Sequence, residues 1–468
     1  MRTLIVGAAI LNQTPLDWDG NQSRIIQAIH AARAQQVTLL CLPEMAITGY
    51  GCEDAFHAPG TLEHAQRVLR ELLPETSGMV VTFGIPVLHI KSLFNCAAVA
   101  VDGQLVGVVP KRFLAGDGVH YEPRWFKPWP GGVHDDIVLA GTEVPIGDLI
   151  LEIGGVRMGF EICEDAWVAD RPGSALARTG VDLILNPSAS HFAFGKLTIR
   201  ERFVIEGSRA FNVAYVYANL LGNEAGRTIY DGGAMIASGG RLVARGPRLG
   251  FHEWHVTHAT VDIEAARFAS ARSASFRPDL ASAEHLIVSI PFSWPATGLP
   301  SGHATPARWE LGEHVKHEEF SRALALALFD YLRKSRSRGF VLSLSGGADS
   351  SAVATLIWLM VRRGLADLGL DGLHRRLGHI PAIRAAHDEP SLVRCLLTTV
   401  YQPTANSSQT TRLAAAAVAG AIGADHLEID IEPLVQAYTA TVSRALGRAL
   451  TWSHDDLALQ NIQARARA

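Results

Sequence analysis

The sequence predicts an α/β protein of two successive domains, and three observations carry this. Segments that read as buried strands alternate with segments of helical periodicity along most of the chain. Polar residues of catalytic type fall at the C-terminal ends of several of those strands. A stretch rich in Pro, Ser and Gly, 271–312, separates one such alternation from another. A length of 468 residues exceeds one ordinary core, so domains at 1–270 and 313–468 joined by a linker are expected.

In the first part, Leu4–Ala9 reads as a buried strand, and Asn21–Gln35 carries Ile25, Ile26, Ile29 and Ala32 at helical spacing. Thr38–Leu42 is a second strand running into Pro43-Glu44. Val80–Ile85 and Phe94–Val101 continue the strands, and Asp102-Gly103 is a hairpin signal leading to Gln104–Val109, after which comes Lys111. Val156–Ile162 is a short apolar run ending at Cys163, with Glu164-Asp165 turning the chain. Further strands are expected at Asp182–Leu185 and Val213–Ala218, a helix at Lys196–Phe211, and a hairpin around Ser238-Gly239-Gly240.

Glu44, Lys111 and Cys163 therefore each end a strand. A lone cysteine is usually a small buried apolar residue, and a lone lysine a solvated one. Together the three are complementary. A carboxylate can take the thiol proton, an ammonium can stabilise a tetrahedral oxyanion, and the thiolate can form a thioester by expelling ammonia from an amide. His252, His255 and His258 have a metal-like spacing only on a helix, since a strand would split them across faces. His314 and His317 stand with Glu318 and Glu319 at the start of a helix, where acidic residues complement the helix dipole.

Composition narrows the partners. With 48% hydrophobic and 19% charged residues the chain is expected to pack, and a formal charge of −4 offers no basic footprint for nucleic acid. Cys41, Cys52, Cys96, Cys163 and Cys395 form no C-x-x-C pair, so reduced thiols in a cytoplasmic protein are expected. Met1-Arg2-Thr3 leads straight into the first strand, and no apolar run reaches membrane-spanning length, so no membrane partner is expected.

Three segments carry a family resemblance: Leu42–Asp54, Pro110-Lys111 through Arg124-Trp125-Phe126, and Gly159–Asp165. They resemble the nitrilase-type amidohydrolase domain, and more closely its glutaminase version in glutamine-dependent NAD synthetases. The resemblance implies a nitrilase-like αββα sandwich with Glu44 as general base, Lys111 as oxyanion lysine, Cys163 as nucleophile and Glu122 as auxiliary glutamate. It also implies glutamine contacts at Tyr50, Ser190 and Lys196, the last two in and after Asn186–His191, which would otherwise be a loop following a strand. Some bacterial members carry a tyrosine where Leu114–Gly118 lies; this chain has none and is similar there to the longer form of the family.

In the second part, Glu318–Arg333 places Phe320, Leu324, Leu328 and Leu332 on one helical face. A strand at Phe340–Leu344 leads into Ser345-Gly346-Gly347-Ala348-Asp349-Ser350-Ser351 and a helix to about Val361. Glycines let a backbone approach closely, and amides at a helix N-terminus attract phosphate oxygens. Asp349 would repel phosphate unless a cation lies between them, which points to Mg²⁺, with its full ligand set unknown. Leu396–Tyr401, Ser408–Ile422 and His426–Ile431 continue a strand, helix, strand progression.

The Ser-Gly-Gly-x-Asp-Ser loop resembles that of the ATP pyrophosphatase family. It implies a Rossmann-like parallel α/β synthetase domain binding ATP at Ser343, Leu344, Ser345, Gly346, Gly347, Ala348, Asp349 and Ser350. Leu457–Arg465 resembles the synthetase half of the same family and implies deamido-NAD binding at Asn461. The resemblance thus implies ATP-dependent amidation of deamido-NAD by ammonia from glutamine, in a homo-oligomer whose synthetase domain is incomplete at its C-terminus. A stand-alone amidase with a non-working second domain and a non-enzymatic assembly subunit are the alternatives.

Overall fold

The computed structural model describes residues 2–224, 226–280, 286–299 and 301–467. It divides into two compact units, one ending at Ala323 and one beginning at Leu324, within helix Val315–Lys334.

The first unit is built on two runs of strands with helices outside them. In the first run Thr3–Leu11 pairs in parallel with Leu39–Cys41, which pairs in parallel with Val80–His89. Antiparallel Ser92–Val101 and Gln104–Pro110 follow. The Asp102-Gly103 turn holds both residues at positive φ, +47° and +81°, the twist that suits a two-residue hairpin. In the second run Val156–Phe160, Leu183–Ser188 and Ala214–Glu224 are parallel neighbours, extended by antiparallel Met235–Ser238 and Arg241–Arg245. The runs meet where Ile10 and Leu11 pair with Asn219 and Leu220.

Helices Trp18–Ala34 and Pro59–Leu72 turn Ile25, Ile29, Val68 and Leu69 onto Leu40, Val81 and Phe83. Helix Lys196–Ala210 turns Val204 onto Ile184, Tyr215 and Met235. Each such fully buried aliphatic or aromatic side chain contributes about 1.5–3 kcal/mol of burial free energy. The strand ends are thereby fixed in place.

The expected linker at 271–312 is largely structured as part of this unit. Helix Ile263–Arg272 runs past residue 270, Leu286–Ile290 pairs in parallel with Leu149–Ile153, and Ser301-Gly302 pairs with Ala259 and Thr260. Residues 281–285 and 300 lie outside the described residues. His255 and His258 lie three apart on strand Trp254–Asp262 and so face opposite ways. Among the described residues no cluster of His, Cys, Asp and Glu is placed to hold a metal, and no helix is long and apolar enough to cross a membrane.

The second unit holds a parallel sheet of Phe340–Ser343, Leu397–Tyr401 and Asp425–Glu428. Helix Ala348–Arg376 follows the first strand and runs well beyond Val361, with a kink at Gly369 (φ +66°). Helix Gln409–Ile422, N-capped by the Ser408 hydroxyl, follows the second. On helix Val315–Lys334 the buried face is Ala325, Leu326, Phe329 and Leu332, whereas Phe320 is exposed and Leu324 and Leu328 are half-buried. The structure thus rotates the expected apolar stripe.

Candidate active site

Two strand ends and the start of a short helix in the first unit bring the predicted charges together. The turn after Leu39–Cys41 presents Glu44, and it can do so because Gly84 has no side chain: a Cβ there would lie 2.2 Å from the Met45 nitrogen. Lys111 follows strand Gln104–Pro110, and Glu122 opens the short helix Glu122–Trp125. All three side chains are buried. Lys111 Nζ lies 2.7 Å from Glu44 Oε1 and 2.7 Å from Glu122 Oε2.

Every carboxylate oxygen of this cluster accepts a hydrogen bond. The Ala189 amide donates to Glu44 Oε2 at 2.8 Å and the Ala115 amide to Glu122 Oε2 at 2.6 Å. Asn95 Nδ2 donates to Glu44 Oε1 at 2.6 Å and to Glu122 Oε1 at 2.9 Å. Reciprocal pairing of this kind offsets the desolvation of buried charges. Burial pushes the Glu44 carboxyl up to about 7 against the pull of Lys111. Burial acts on Glu122 too, but Lys111, the Ala115 amide and Asn95 overcome it and hold Glu122 below the ordinary value. Two carboxyls with separated affinities for a proton can take different roles. Burial pulls the Lys111 ammonium down, and the two glutamates more than restore it.

Cys163 sits on a strained elbow. Strand Val156–Phe160 ends three residues earlier, and Cys163, which opens the 3₁₀ turn Cys163–Ala166, adopts φ +47°, uncommon for a residue with a side chain. Asp165 clasps the elbow: its Oδ2 accepts from the Ile162 amide at 2.8 Å, and its Oδ1 from the Arg112 and Phe113 amides at 3.1 and 2.8 Å. The cysteine elbow is thus tied to the segment that follows Lys111. The Cys163 thiol is raised by burial and by Glu44, is pulled down by Lys111, and bonds to the Ala189 backbone. A thiol raised in this way has to pass its proton to a base before its sulfur can act as a nucleophile.

Tyr50, Ser190 and Lys196 surround this centre. Strand Leu183–Ser188 runs further than expected, so Asn186-Pro187-Ser188 belongs to the strand and only Ala189, Ser190 and His191 follow it. The Tyr50 amide donates to Glu224 Oε2 at 2.8 Å, and its hydroxyl lies 3.5 Å from His120 Nδ1. Ser190 is fixed by paired bonds to Asn219, while its Oγ is buried without a partner among the described residues. Lys196 Nζ lies 3.1 Å from His191 Nδ1 and over the Trp167 ring at 5.3 Å.

In the second unit the loop after strand Phe340–Ser343 is open. Ser343, Ser345, Gly347, Ala348 and Asp349 are exposed, and Gly346 and Ser350 are half-buried. Gly346 has φ +78°, and a Cβ there would lie 2.3 Å from the Thr411 carbonyl oxygen, so only glycine fits. The Ser345 and Ser350 hydroxyls lie 3.1 Å apart, and the Gly347 amide donates to Ser345 Oγ at 3.3 Å. The Leu344 side chain is fully buried, which leaves only its main chain for a ligand. Asn461 is exposed on helix Asp456–Arg467.

Asn95 and Asp165 hold the centre together, and residue patterning did not single out either role. The available signal for Asn95 was a lone amide inside the apolar strand Ser92–Val101.

Fold and site together define an amidohydrolase unit followed by a nucleotide-type α/β unit, and comparison with known proteins agrees. Residues 5–271 match the carbon-nitrogen hydrolase family model and residues 320–468 the NAD synthase family model. The glutamine-dependent NAD(+) synthetase of Macaca fascicularis is 32% identical over 502 residues, covering 100% of this chain and 69% of the relative. That of Oryza sativa subsp. indica is 33% identical over 494 residues, covering 100% and 66%. The crystal structure of a glutamine-dependent NAD(+) synthetase from Cytophaga hutchinsonii matches with TM-score 0.83 at 38% identity, covering 100% of this chain and 72% of that one. The chain belongs to the glutamine-dependent NAD(+) synthetases.

Proposed function

We propose that this chain makes NAD by amidating deamido-NAD with ammonia released from glutamine at Cys163. The observation that carries the amide half is Lys111 held between Glu44 and Glu122 at 2.7 Å from each, beside the thiol on its elbow. Glu44 takes the thiol proton as the sulfur attacks the glutamine side-chain carbonyl, and the oxygen gains the electron pair beside the Lys111 ammonium. The C–N bond breaks, ammonia leaves with the proton returned by Glu44, and a γ-glutamyl thioester remains. Water then attacks the thioester with Glu44 as base, releasing glutamate and the thiol. Glu122 keeps Lys111 charged and pointed at the oxyanion.

In the second half the nicotinate carboxylate attacks the α-phosphorus of ATP and pyrophosphate leaves. Ammonia then attacks the mixed anhydride, a proton is lost, and AMP departs. The Ser345 and Ser350 hydroxyls and the amides at the start of helix Ala348–Arg376 are the donors for the pyrophosphate oxygens. Asp349 is an exposed hard-oxygen ligand beside those donors and would hold a Mg²⁺ carried on the phosphates, supplying charge neutralisation between carboxylate and phosphate. Asn461 is assigned to deamido-NAD, and the working form is a homo-oligomer.

The test supplies ATP and deamido-NAD with either glutamine or an ammonium salt. NAD from both sources, with Cys163→Ala losing only the glutamine-fed route, supports the proposal. Ammonia release without NAD from either source leaves an amidase and overturns the synthetase half.

A further inference from the structure

Two histidines that the chemistry above does not use join the two ends of the glutamine site. His120 Nε2 lies 2.8 Å from His191 Nδ1, and the same Nδ1 lies 3.1 Å from Lys196 Nζ. An ammonium can only donate, so His191 Nδ1 is an acceptor and its proton is on Nε2. His120 must then donate from Nε2, which leaves His120 Nδ1 to accept from the Tyr50 hydroxyl at 3.5 Å. With Lys196 charged, the single in-plane lone pair of His191 Nδ1 is shared between the ammonium and the His120 Nε2 N–H, and both tautomers follow from these contacts. Burial, as the largest influence, lowers both imidazoles to about 4, so they stay neutral at physiological pH.

Each histidine is fixed from its other side. His191 forms an isolated antiparallel bridge with Tyr230. His120 belongs to the short segment between Ala115 and Glu122, whose base is closed by the Ala115 amide on Glu122 Oε2 and by the Glu122 amide on the Ala115 carbonyl. The segment whose two ends are tied together through Glu122 therefore reaches across to the strand end that carries Ser190 and His191. Both imidazoles and Lys196 are only half-buried and so remain reachable by a ligand. Next to His191, Ser190 is 2% exposed, and its buried Oγ has no partner among the described residues. A hydroxyl with its hydrogen-bonding capacity unused in a buried place points to a ligand group there.

Resting on the glutaminase reading above, we propose that His120 and His191 are substrate-positioning residues that aim Lys196, beside Ser190, at the α-carboxylate of glutamine. The pair thereby selects amino-acid amides over plain aliphatic amides. His191 occupies one of the three N–H bonds of the ammonium and sets the direction of the other two. His120 makes that arrangement depend on the closed Ala115–Glu122 segment. A plain amide such as butyramide has no carboxylate and gains nothing from it.

The test compares His191→Leu, His191→Asn and His120→Phe in the full chain, using L-glutamine and butyramide. His191→Leu and His120→Phe should lower the ratio of kcat/KM for glutamine to that for butyramide roughly ten- to hundredfold, the range for a hydrogen bond to a charged group. The loss should fall mainly on KM. His191→Asn, which keeps an acceptor, should recover most of the ratio. L-glutamine binding by calorimetry, with each change placed on Cys163→Ala, should weaken by a similar factor. If both substrates lose equally, or Asn behaves as Leu does, the histidines are structural and this proposal is overturned while the glutaminase reading stands. If the unaltered chain releases no ammonia from glutamine, the underlying reading falls and this proposal with it.

Discussion

The two units keep their functional polar groups under opposite conditions. In the first, Glu44 and Lys111 are each 1% exposed, and they, Asn95 and Glu122 satisfy one another in a closed set of hydrogen bonds. In the second, Ser345, Gly347 and Asp349 are exposed, and the serine hydroxyls bond mainly each other and nearby main chain. The scaffolds differ in the same sense. Strand Ala214–Glu224 is buried throughout, whereas Val341 on the parallel sheet of the second unit is 80% exposed. The amide site is assembled before substrate arrives, and charge polarisation in a dry centre needs that. The Ser345 loop, proposed above to hold phosphate, instead offers donors set by backbone geometry, which an anion can satisfy on arrival.

The largest expected difference comes from removing charge on each side. Lys111→Met leaves two buried carboxylates without their cation. Glutamine-dependent ammonia release should fall by about 10²–10³ or more, and urea unfolding should show a loss of about 3–5 kcal/mol. Asp349→Asn should move stability by no more than about 0.5 kcal/mol while strongly depressing ammonia-fed NAD formation. A Lys111→Met protein as stable as the parent would show that the buried charge cluster does not depend on its cation. Gly346→Ala comes next, because it forces a Cβ toward the Thr411 carbonyl at φ +78°. It should destabilise by more than about 1 kcal/mol and abolish ammonia-fed synthesis, with ammonia release from glutamine as the contrasting readout.

Asn95→Leu removes one amide from two carboxylates. Steady-state kinetics should show kcat falling by about tenfold, and unfolding a loss of about 1–3 kcal/mol. Smaller still is the pH effect of Glu44. Its carboxyl is raised from 4.5 to about 7, so between those values the folded chain holds a proton that the unfolded chain has released. The contribution of Glu44 to stability is therefore full below that window and falls as pH rises through it. The kcat/KM for glutamine should rise over the upper part of the same window as the base is freed. An ascending limb centred on the ordinary glutamate value would contradict this.

The sequence made some of this visible and concealed the rest for physical reasons. Glu44, Lys111 and Cys163 were legible because each ends a strand, where α/β folds place chemistry, and the Ser345 loop because its composition is specific. Glu122 was legible through the family resemblance alone. Asn95 was not, since its partners lie 51 and 27 residues away and only folding sets it against them. Asp165 read as a turn residue, yet it clasps amides on two segments. Strand Leu286–Ile290 was hidden among chain breakers and owes its pairing to Leu149–Ile153, far away in sequence. Helix Pro59–Leu72 opens on Pro-Gly, a pair that suggests a turn, although proline suits a first helical position.

The most direct measurement is the mass of the protein quenched in acid during turnover with L-glutamine, followed by peptide mapping. One γ-glutamyl group is expected on the peptide containing Cys163, absent from Cys163→Ala. Ammonia released at the parent rate by Cys163→Ala, or an adduct on any other residue, would contradict this.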